Sequence, residues 1–322
     1  MTDNRQYATL GSLPLESGGE LPSVVLAYET WGTFTGDNAI LVEHALTGDS
    51  TIAGGEGWWS KVVGPGLGID TNTHFVVAAN ILGGCAGSTG PEDLEPFPAL
   101  TVRDQVAAEA RLADHLGVDI WKAVIGGSAG GMRALEWAVS YPERVERLLS
   151  IAVGPYATAE QIAWTTIQND MVRVGGPVDG LDLARRVAHV TYRSEPELAA
   201  RFGRTVQDDG RWAIESYLQH HGTKLVNRFS AKSYIVLNNA MNSHDLGRDR
   251  GGLETALQRI SARTIIAAID SDRLYRPGDQ QIMADEIPGC EQLDMITSMY
   301  GHDGFLIEFD QVNALARRLL AD

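Results

Sequence analysis

Short apolar segments alternate with helix-like segments along most of this 322-residue chain, and that alternation restricts its fold more than any other feature. The apolar segments are rich in Val, Ile, Leu and Ala, which is typical of strands buried on both faces. They comprise residues 39–43, 74–79, 122–125, 148–153, 264–269 and 293–297. Helical patterns cover residues 103–116, 132–139 and about 305–320. The alternation predicts an α/β fold, a mostly parallel sheet with flanking helices.

Two regions depart from the alternation. Residues 7–15 and 24–32 have an extended pattern around a Gly-Gly turn, which predicts an opening hairpin. Residues 156–255 are mostly helical, with patterns over 159–167, 181–190, 195–202 and 212–219. We therefore expect a core domain made of residues 1–155 and 256–322, with residues 156–255 inserted into it as a helical lid.

The charge is strongly negative but unevenly placed. A net charge of −16 argues against nucleic acid or an anionic membrane surface as a partner. Residues 173–263, however, contain 14 Lys and Arg against 10 Asp and Glu, a local net of +4. This basic segment indicates either solvated helix faces or a site for an anionic ligand, and the sequence does not decide between them.

The compartment is inferred from three features. The two cysteines, Cys85 and Cys290, stand alone in the sequence and form no disulfide framework, which suits a reducing environment. The first residues lack the apolar run of a signal peptide, and no apolar stretch approaches the length of a membrane helix. We therefore expect a cytoplasmic protein with no membrane association.

A Gly-x-Ser-x-Gly pattern occurs at residues 126–130, with Ser128 at its centre. In a nucleophile elbow the serine occupies a strained turn between a strand and a helix, and the glycines two residues away remove side chains that would collide. The pattern is short enough to arise by chance, but an apolar strand leads into it and a helical pattern follows. We interpret Ser128 as the nucleophile, the alternative being a plain glycine-rich turn.

An acid and a base follow Ser128 in the order that this arrangement requires. Asp270 and Asp272 both lie at the end of a predicted strand, and we favour Asp272 because it lies in the loop beyond that strand. His302 follows the last predicted strand and is the expected general base. The activity of the protein should then rise with pH, with an apparent pKa near the ordinary histidine pKa of about 6.5.

Two backbone N–H groups are expected to form an oxyanion hole. One belongs to Ala129, directly after the nucleophile, and the other to Leu46, in the loop after an early strand. We predict no metal, because the histidines at 220–221 and 244 lack ligand spacing. The glycine-rich stretches match neither a phosphate-binding loop nor a dinucleotide fingerprint.

Together these motifs resemble the homoserine O-acetyltransferase family, in order and over nearly the whole chain. The motifs that carry the resemblance are residues 27–32, 44–49, 83–91, 126–137, 243–248 and 300–306. The resemblance implies an α/β-hydrolase fold with a helical lid, and a homodimer formed through that lid. It also implies transfer of acetyl from acetyl-CoA, a co-substrate and not a bound cofactor, to L-homoserine in methionine biosynthesis through an acyl-serine.

The same resemblance implies roles for particular residues. It places the nucleophile, acid and base on Ser128, Asp272 and His302. Arg185 and Asp303 match the residues that hold the carboxylate and ammonium groups of the amino acid, and Tyr192 is expected to line the same pocket. A fixed cation and a fixed anion suit those two groups.

Three departures from the family pattern leave the acyl donor open. Ala129 stands where the family usually has methionine, and the chain looks shortened between residues 167 and 181 and around residues 92–97. A related acyltransferase using another donor, such as succinyl-CoA, or another acceptor, such as serine, is one alternative. A plain serine esterase is the other, because it would need the same three residues.

Overall fold

The computed structural model describes residues 4–321, which contain an eight-stranded sheet with helices on both faces. The strands of the described residues are β1 (Gln6–Thr9), β2 (Leu13–Pro14), β3 (Glu20–Leu21), β4 (Val25–Trp31), β5 (Ala39–Glu43), β6 (Val63–Gly64), β7 (Ile69–Asp70), β8 (Phe75–Ala79), β9 (Ala123–Gly127), β10 (Arg147–Ile151), β11 (Arg263–Ile269) and β12 (Cys290–Ile296). The large sheet has the order β1-β4-β8-β5-β9-β10-β11-β12.

Within that sheet only β4 runs opposite to the other strands. β1 pairs antiparallel with β4, and β4 pairs antiparallel with β8. Every pair from β8 through β5, β9, β10 and β11 to β12 is parallel. The predicted mostly parallel sheet is confirmed, and the predicted opening hairpin is present as the antiparallel β1–β4 pair, with the short β2–β3 pair nearer its turn.

The helices are α1 (Val102–Leu116), α2 (Ala129–Ser140), α3 (Ala159–Gly175), α4 (Leu181–Tyr192), α5 (Glu195–Phe202), α6 (Ala213–Val226), α7 (Ala231–Asn242), α8 (Leu253–Leu257), α9 (Pro277–Glu286) and α10 (Phe309–Leu320). Strand β5 shows how the two faces of the sheet divide. Ala39 and Leu41 pack into a core with α1, α2 and α9, whereas Ile40 and Val42 pack into a second core with α10. Successive side chains of a strand point to opposite faces of the sheet, so a strand buried on both faces contributes to both cores.

Helices α3 to α7 lie between β10 and β11, within the segment that the sequence predicts as a lid. Helix α3 is longer than its pattern indicates and continues to Gly175, where a π-helical turn over Gly176–Gly180 joins it directly to α4. The connection is so short that α3 and α4 pack against each other. The division into core and lid at residues 155 and 255 remains a prediction.

Other element boundaries differ from the sequence-based expectation. The last helix begins at Phe309 and not near residue 305, because Gly301–Leu306 form a 3-10 turn that carries His302. Helices α7, α8 and α9 were not predicted. Helix α9 buries only three residues, so it has no clear apolar stripe to reveal it. Between residues 4 and 321 no helix combines the length and apolar character needed to cross a membrane.

Candidate active site

Ser128 occupies a sharp turn between β9 and α2. Its φ of 57° and ψ of −127° lie in a region that non-glycine residues rarely adopt. The Ser128 N–H donates to the Ile151 carbonyl of the neighbouring strand at 2.9 Å, which holds the turn in place. A Cβ atom at Gly126 would lie 2.3 Å from the Gly130 carbonyl oxygen, and one at Gly130 would lie 2.2 Å from that of Glu43. The backbones therefore approach closely enough to require both glycines.

Ser128, His302 and Asp272 form one hydrogen-bonded line. The Nε2 atom of His302 is 2.8 Å from the Ser128 hydroxyl oxygen, and its Nδ1 atom is 2.7 Å from the Asp272 carboxylate. All three residues are buried, with exposures of 8%, 3% and 4% for Ser128, His302 and Asp272. The structure thus brings together the three residues proposed from sequence.

The Asp272 carboxylate is fixed by the backbone beyond it. Its Oδ1 atom accepts hydrogen bonds from the N–H groups of Leu274 and Tyr275 at 2.8 and 3.0 Å. The alternative acid, Asp270, is exposed and accepts instead from the Ser298 N–H at 3.0 Å. The geometry therefore favours Asp272 over Asp270 as the partner of His302.

Three aromatic rings surround the His302 imidazole. The Tyr275 ring stacks against it with centroids 5.0 Å apart, and those of Tyr192 and Phe305 lie at 5.7 and 5.8 Å. Tyr275 was not identified from the sequence. It lies only three residues after Asp272 on the same loop, and this proximity to the predicted acid is the signal that could have identified it. This apolar enclosure holds the imidazole in one orientation and keeps water from it.

The pKa of His302 is raised above its ordinary value. Burial by itself opposes the charged imidazolium, but the Asp272 carboxylate, through its charge and its hydrogen bond, and the charge of Asp303 outweigh that effect. An imidazolium formed when Ser128 loses its proton is thereby stabilised. This shift modifies the expectation from sequence, which placed the pKa near the unperturbed value.

Activity should accordingly rise with pH through an apparent pKa above about 6.5, the ordinary histidine value. His302 accepts a proton only when neutral, and a raised pKa moves the neutral form to higher pH. The measurement is kcat/KM for the acyl donor across the pH range in which the fold is intact. A profile whose rising limb has its midpoint at or below the ordinary value would contradict the raised pKa.

The two expected oxyanion donors lie next to the nucleophile. Ala129 is the first residue of α2, where an N–H has no acceptor one turn earlier in the helix. Leu46 lines the same cavity as Ser128. Ala129 and Leu46 therefore lie beside Ser128, and the role of their N–H groups as oxyanion donors stays a prediction.

The loop that carries Leu46 is anchored by a buried arginine that sequence reasoning missed. Arg133, on α2, donates to the Glu43 carboxylate at 2.8 Å and to the His44 carbonyl oxygen at 2.9 Å. The His44 ring in turn accepts the Ile81 N–H at 3.1 Å, and burial lowers the pKa of this imidazole to about 3, aided by the charge of Arg133. Neutral His44 and charged Arg133 therefore tie the loop to the helix that follows the nucleophile.

The residues expected to hold an amino acid lie around this centre, and Tyr192 interacts electrostatically with both Arg185 and Asp303. Tyr192 lines the cavity above Ser128, and the Arg185 guanidinium lies 5.5 Å from the Tyr192 ring centre. Asp303 already has a cationic partner, since Arg193 donates to it at 3.0 Å. Arg193 also pairs with Glu197 at 2.9 Å, and the sequence analysis assigned it no role.

The cavity above Ser128 is lined on its lid side by neutral amide groups. These belong to Gln161, Gln168, Asn238 and Asn242. The carbonyl oxygen of the Asn238 side chain is buried and has no hydrogen-bond partner among the described residues. It remains available to a donor group on a bound substrate. The four residues come from two separate helices, α3 and α7, so their spacing along the chain gives no sequence signal for such a set.

Between residues 4 and 321, no group of three or more His, Cys, Asp or Glu side chains lies close enough together to hold a metal ion. The oxygen and nitrogen atoms around Ser128 are instead arranged for proton transfer. The absence of a metal or cofactor from the reaction stays a prediction.

The parallel sheet, the strained serine at the end of β9 and the His and Asp residues beyond later strands define the α/β-hydrolase class. The model of the family described as alpha/beta hydrolase fold matches residues 38–309. A homoserine O-acetyltransferase from Thermobifida fusca (strain YX) is 50% identical, over 99% of this chain and 94% of that relative. The chain belongs to the homoserine O-acetyltransferase family.

Solved structures with the same fold include proteins of more than one activity. A homoserine O-acetyltransferase from Bacillus anthracis superposes with a TM-score of 0.91, covering 99% of this chain and 97% of that one, and at 24% identity it shows the fold alone. An acetylester hydrolase from Corynebacterium glutamicum has a TM-score of 0.86 and 25% identity, covering 99% and 96% of the two chains. The fold by itself therefore does not separate transfer to an alcohol from hydrolysis.

Proposed function

We propose that this chain transfers the acetyl group of acetyl-CoA to the hydroxyl of L-homoserine, a step of methionine biosynthesis, through an acyl-enzyme on Ser128. The observation that carries the proposal is the hydrogen-bonded line of Ser128, His302 and Asp272 in a member of this family. Neither a metal nor a bound cofactor is required, since acetyl-CoA acts as a co-substrate.

In the first half-reaction the Ser128 oxygen attacks the thioester carbonyl while its proton passes to Nε2 of His302. The negative charge that forms on the carbonyl oxygen is received by the N–H groups of Ala129 and Leu46. The carbon–sulfur bond then breaks, and the departing thiolate takes the proton from His302. The products are free CoA and an acetyl ester of Ser128.

In the second half-reaction the homoserine hydroxyl replaces the thiol. His302 removes its proton, the oxygen attacks the acetyl carbonyl, and the same two N–H groups stabilise the oxyanion. Collapse breaks the bond to Ser128, which recovers its proton from His302. Asp272 holds the imidazole in one orientation and stabilises its charged form through both steps.

Two alternatives use the same chemistry, namely a hydrolase and an acyltransferase with another donor or acceptor. The enclosure of His302 by aromatic rings and the cover of α3 and α7 over Ser128 support transfer, because both restrict water at the acyl-enzyme. Incubation with acetyl-, succinyl- or propionyl-CoA, with and without L-homoserine, tests the proposal. Thiol release that requires homoserine supports transfer, whereas equal release without an acceptor would establish hydrolysis.

Loss of either charge expected to hold the acceptor should impair the second half-reaction. We expect Arg185→Ala and Asp303→Asn each to lower kcat/KM for homoserine roughly 30-fold or more, corresponding to about 2–5 kcal/mol, while largely sparing acylation. Each variant leaves one charge of the amino acid without its counterion. The measurement is acceptor-dependent turnover, compared with acyl-enzyme formation in the absence of acceptor.

Arg186→Ala is the matched control for Arg185, because Arg186 is its neighbour on α4 but pairs with Asp182. Unchanged kcat/KM for homoserine in both Arg185→Ala and Asp303→Asn would show that the acceptor binds elsewhere.

We further propose that the enzyme acts in the cytoplasm as a homodimer formed through the lid. Support for the dimer comes from apolar side chains on α3, on the turn after it and on α4. Ile167, Val174, Val178 and Leu183 are 45%, 90%, 58% and 45% exposed. Apolar side chains so exposed and so near one another in the chain are typical of a surface that a second copy covers. The proposed cytoplasmic location rests on the biosynthetic role that we propose for the enzyme.

A further inference from the structure

A second cavity, of about 440 Å³, lies beside the one that contains Ser128, and three cations line it: Arg185, Lys224 and Arg228. We propose that Lys224 and Arg228 in this basic cleft bind the phosphate groups of the acyl donor, a nucleotide thioester. The inference rests on the proposed function, because it assumes a phosphorylated thioester as donor. It assigns the two cations to the donor and leaves Arg185, nearer to Tyr192, for the acceptor.

The three cations have no counterion within the described part of the chain, and among the other cations of the lid Arg204, which lies over the Trp212 ring, shares this property. Across residues 4–321, no carboxylate oxygen lies within ion-pair distance of Arg185, Lys224 or Arg228. Many other cations of the same segment are paired. The pairs are Arg173–Asp170, Arg186–Asp182, Arg193–Glu197, Arg201–Glu197, Arg211–Asp209 and Lys232–Glu95. Unpaired cations that converge on one cleft of an acidic protein indicate an anionic ligand.

The positive charges also affect one another. Partial burial and the nearby charge of Arg185 both lower the pKa of Arg228, and together they outweigh the charge of Asp49, which acts in the opposite direction. Two guanidinium groups close enough to interact in this way repel each other, and an anion bound by Arg228 would offset that repulsion. The local net charge of +4 over residues 173–263, left unexplained by the sequence, includes all three cations.

The basic cleft adjoins the active site on the side of the loop that carries Leu46. Arg228 donates to the Thr47 carbonyl oxygen at 2.7 Å, one residue beyond Leu46. Leu306, at the end of the 3-10 turn that carries His302, lines another wall. A thioester carbonyl held between Ser128 and Leu46 thus has the cleft next to it, and a flexible pantetheine arm leads from the sulfur to the phosphates.

Two carboxylates on the same walls do not cancel the positive charge. Asp49 accepts the Thr51 N–H at 3.0 Å, so part of its hydrogen-bonding capacity is used within its own loop. Glu56 is exposed and can remain in water when an anion binds. The three cations remain in excess.

The test compares two donors that share the thioester but differ in phosphate, acetyl-CoA and acetyl-pantetheine, in the acylation half-reaction. We expect Lys224→Gln to lower the ratio of their kcat/KM values about tenfold, the usual effect of losing one charge-assisted hydrogen bond. Added salt should lower the same ratio in the unmodified enzyme. Arg228→Gln should act in the same direction, with an added effect on both donors through Thr47.

Lys232→Gln is the matched control, since it removes the same charge from the lid at a residue that pairs with Glu95 outside the cleft. Its donor ratio should equal that of the unmodified enzyme. A ratio left unchanged by Lys224→Gln, or a loss confined to homoserine kinetics, would overturn the inference while leaving the proposed function intact. Failure of the unmodified enzyme to form an acyl-enzyme with either donor would instead overturn the proposed function.

Discussion

Ser128→Ala should lower kcat for acetyl transfer on the order of 10⁴-fold or more while the fold stays intact. The covalent route requires the Ser128 oxygen, which lies 2.8 Å from the base that activates it. Alanine removes that oxygen and contributes almost the same packing, so the turn between β9 and α2 should persist. The measurement is acceptor-dependent thiol release, together with the protein mass after brief exposure to acetyl-CoA alone.

The unmodified enzyme should gain one acetyl group in that mass measurement, and Ser128→Ala should gain none. Ser140→Ala serves as a control at the far end of the same helix, where the hydroxyl bonds to Glu136 and not to the base. A Ser128→Ala enzyme that keeps a tenth of the activity, or that still becomes acetylated, would show that the nucleophile is another residue.

The second large effect is expected from Asp272→Asn, with kcat lowered on the order of 10⁴-fold, as when the acid of a Ser-His-Asp triad is made neutral. The amide keeps the shape of the carboxylate but offers Nδ1 of His302 no negative charge. It also permits the wrong imidazole tautomer. The acetylation rate of Ser128 should fall with kcat, because both half-reactions use His302 as the base.

Asp270→Asn is the matched control, two residues away on the same loop and bonded to the Ser298 N–H. It should change kcat only slightly. If Asp270→Asn is the more harmful of the two, the acid has been assigned to the wrong aspartate. The rising limb of the pH profile adds a further check, since loss of the Asp272 charge should move it to lower pH.

Much of the site was predictable because its parts are local. Gly126, Ser128 and Gly130 lie within five residues, so the pattern of the turn appears in the sequence itself, although Gly130 is required by the distant Glu43 backbone and only Gly126 by a local one. The nucleophile, acid and base could be predicted together because each follows a strand, and the carboxyl ends of parallel strands meet at one edge of the sheet. The acid stayed ambiguous, because Asp270 and Asp272 both follow β11 and only the folded loop shows which of them points at His302.

The sequence by itself determined the parallel sheet, because continuous apolar runs such as residues 39–42 must be buried on both faces. It also determined the strained serine turn. Tertiary structure alone decided that Asp303 is paired with Arg193 and that Arg133 anchors the loop of Leu46. The physical reason is that periodicity reports which face of an element is buried, whereas contacts between elements depend on how those faces pack. The sequence of one segment therefore does not specify which other segment it contacts in the folded protein.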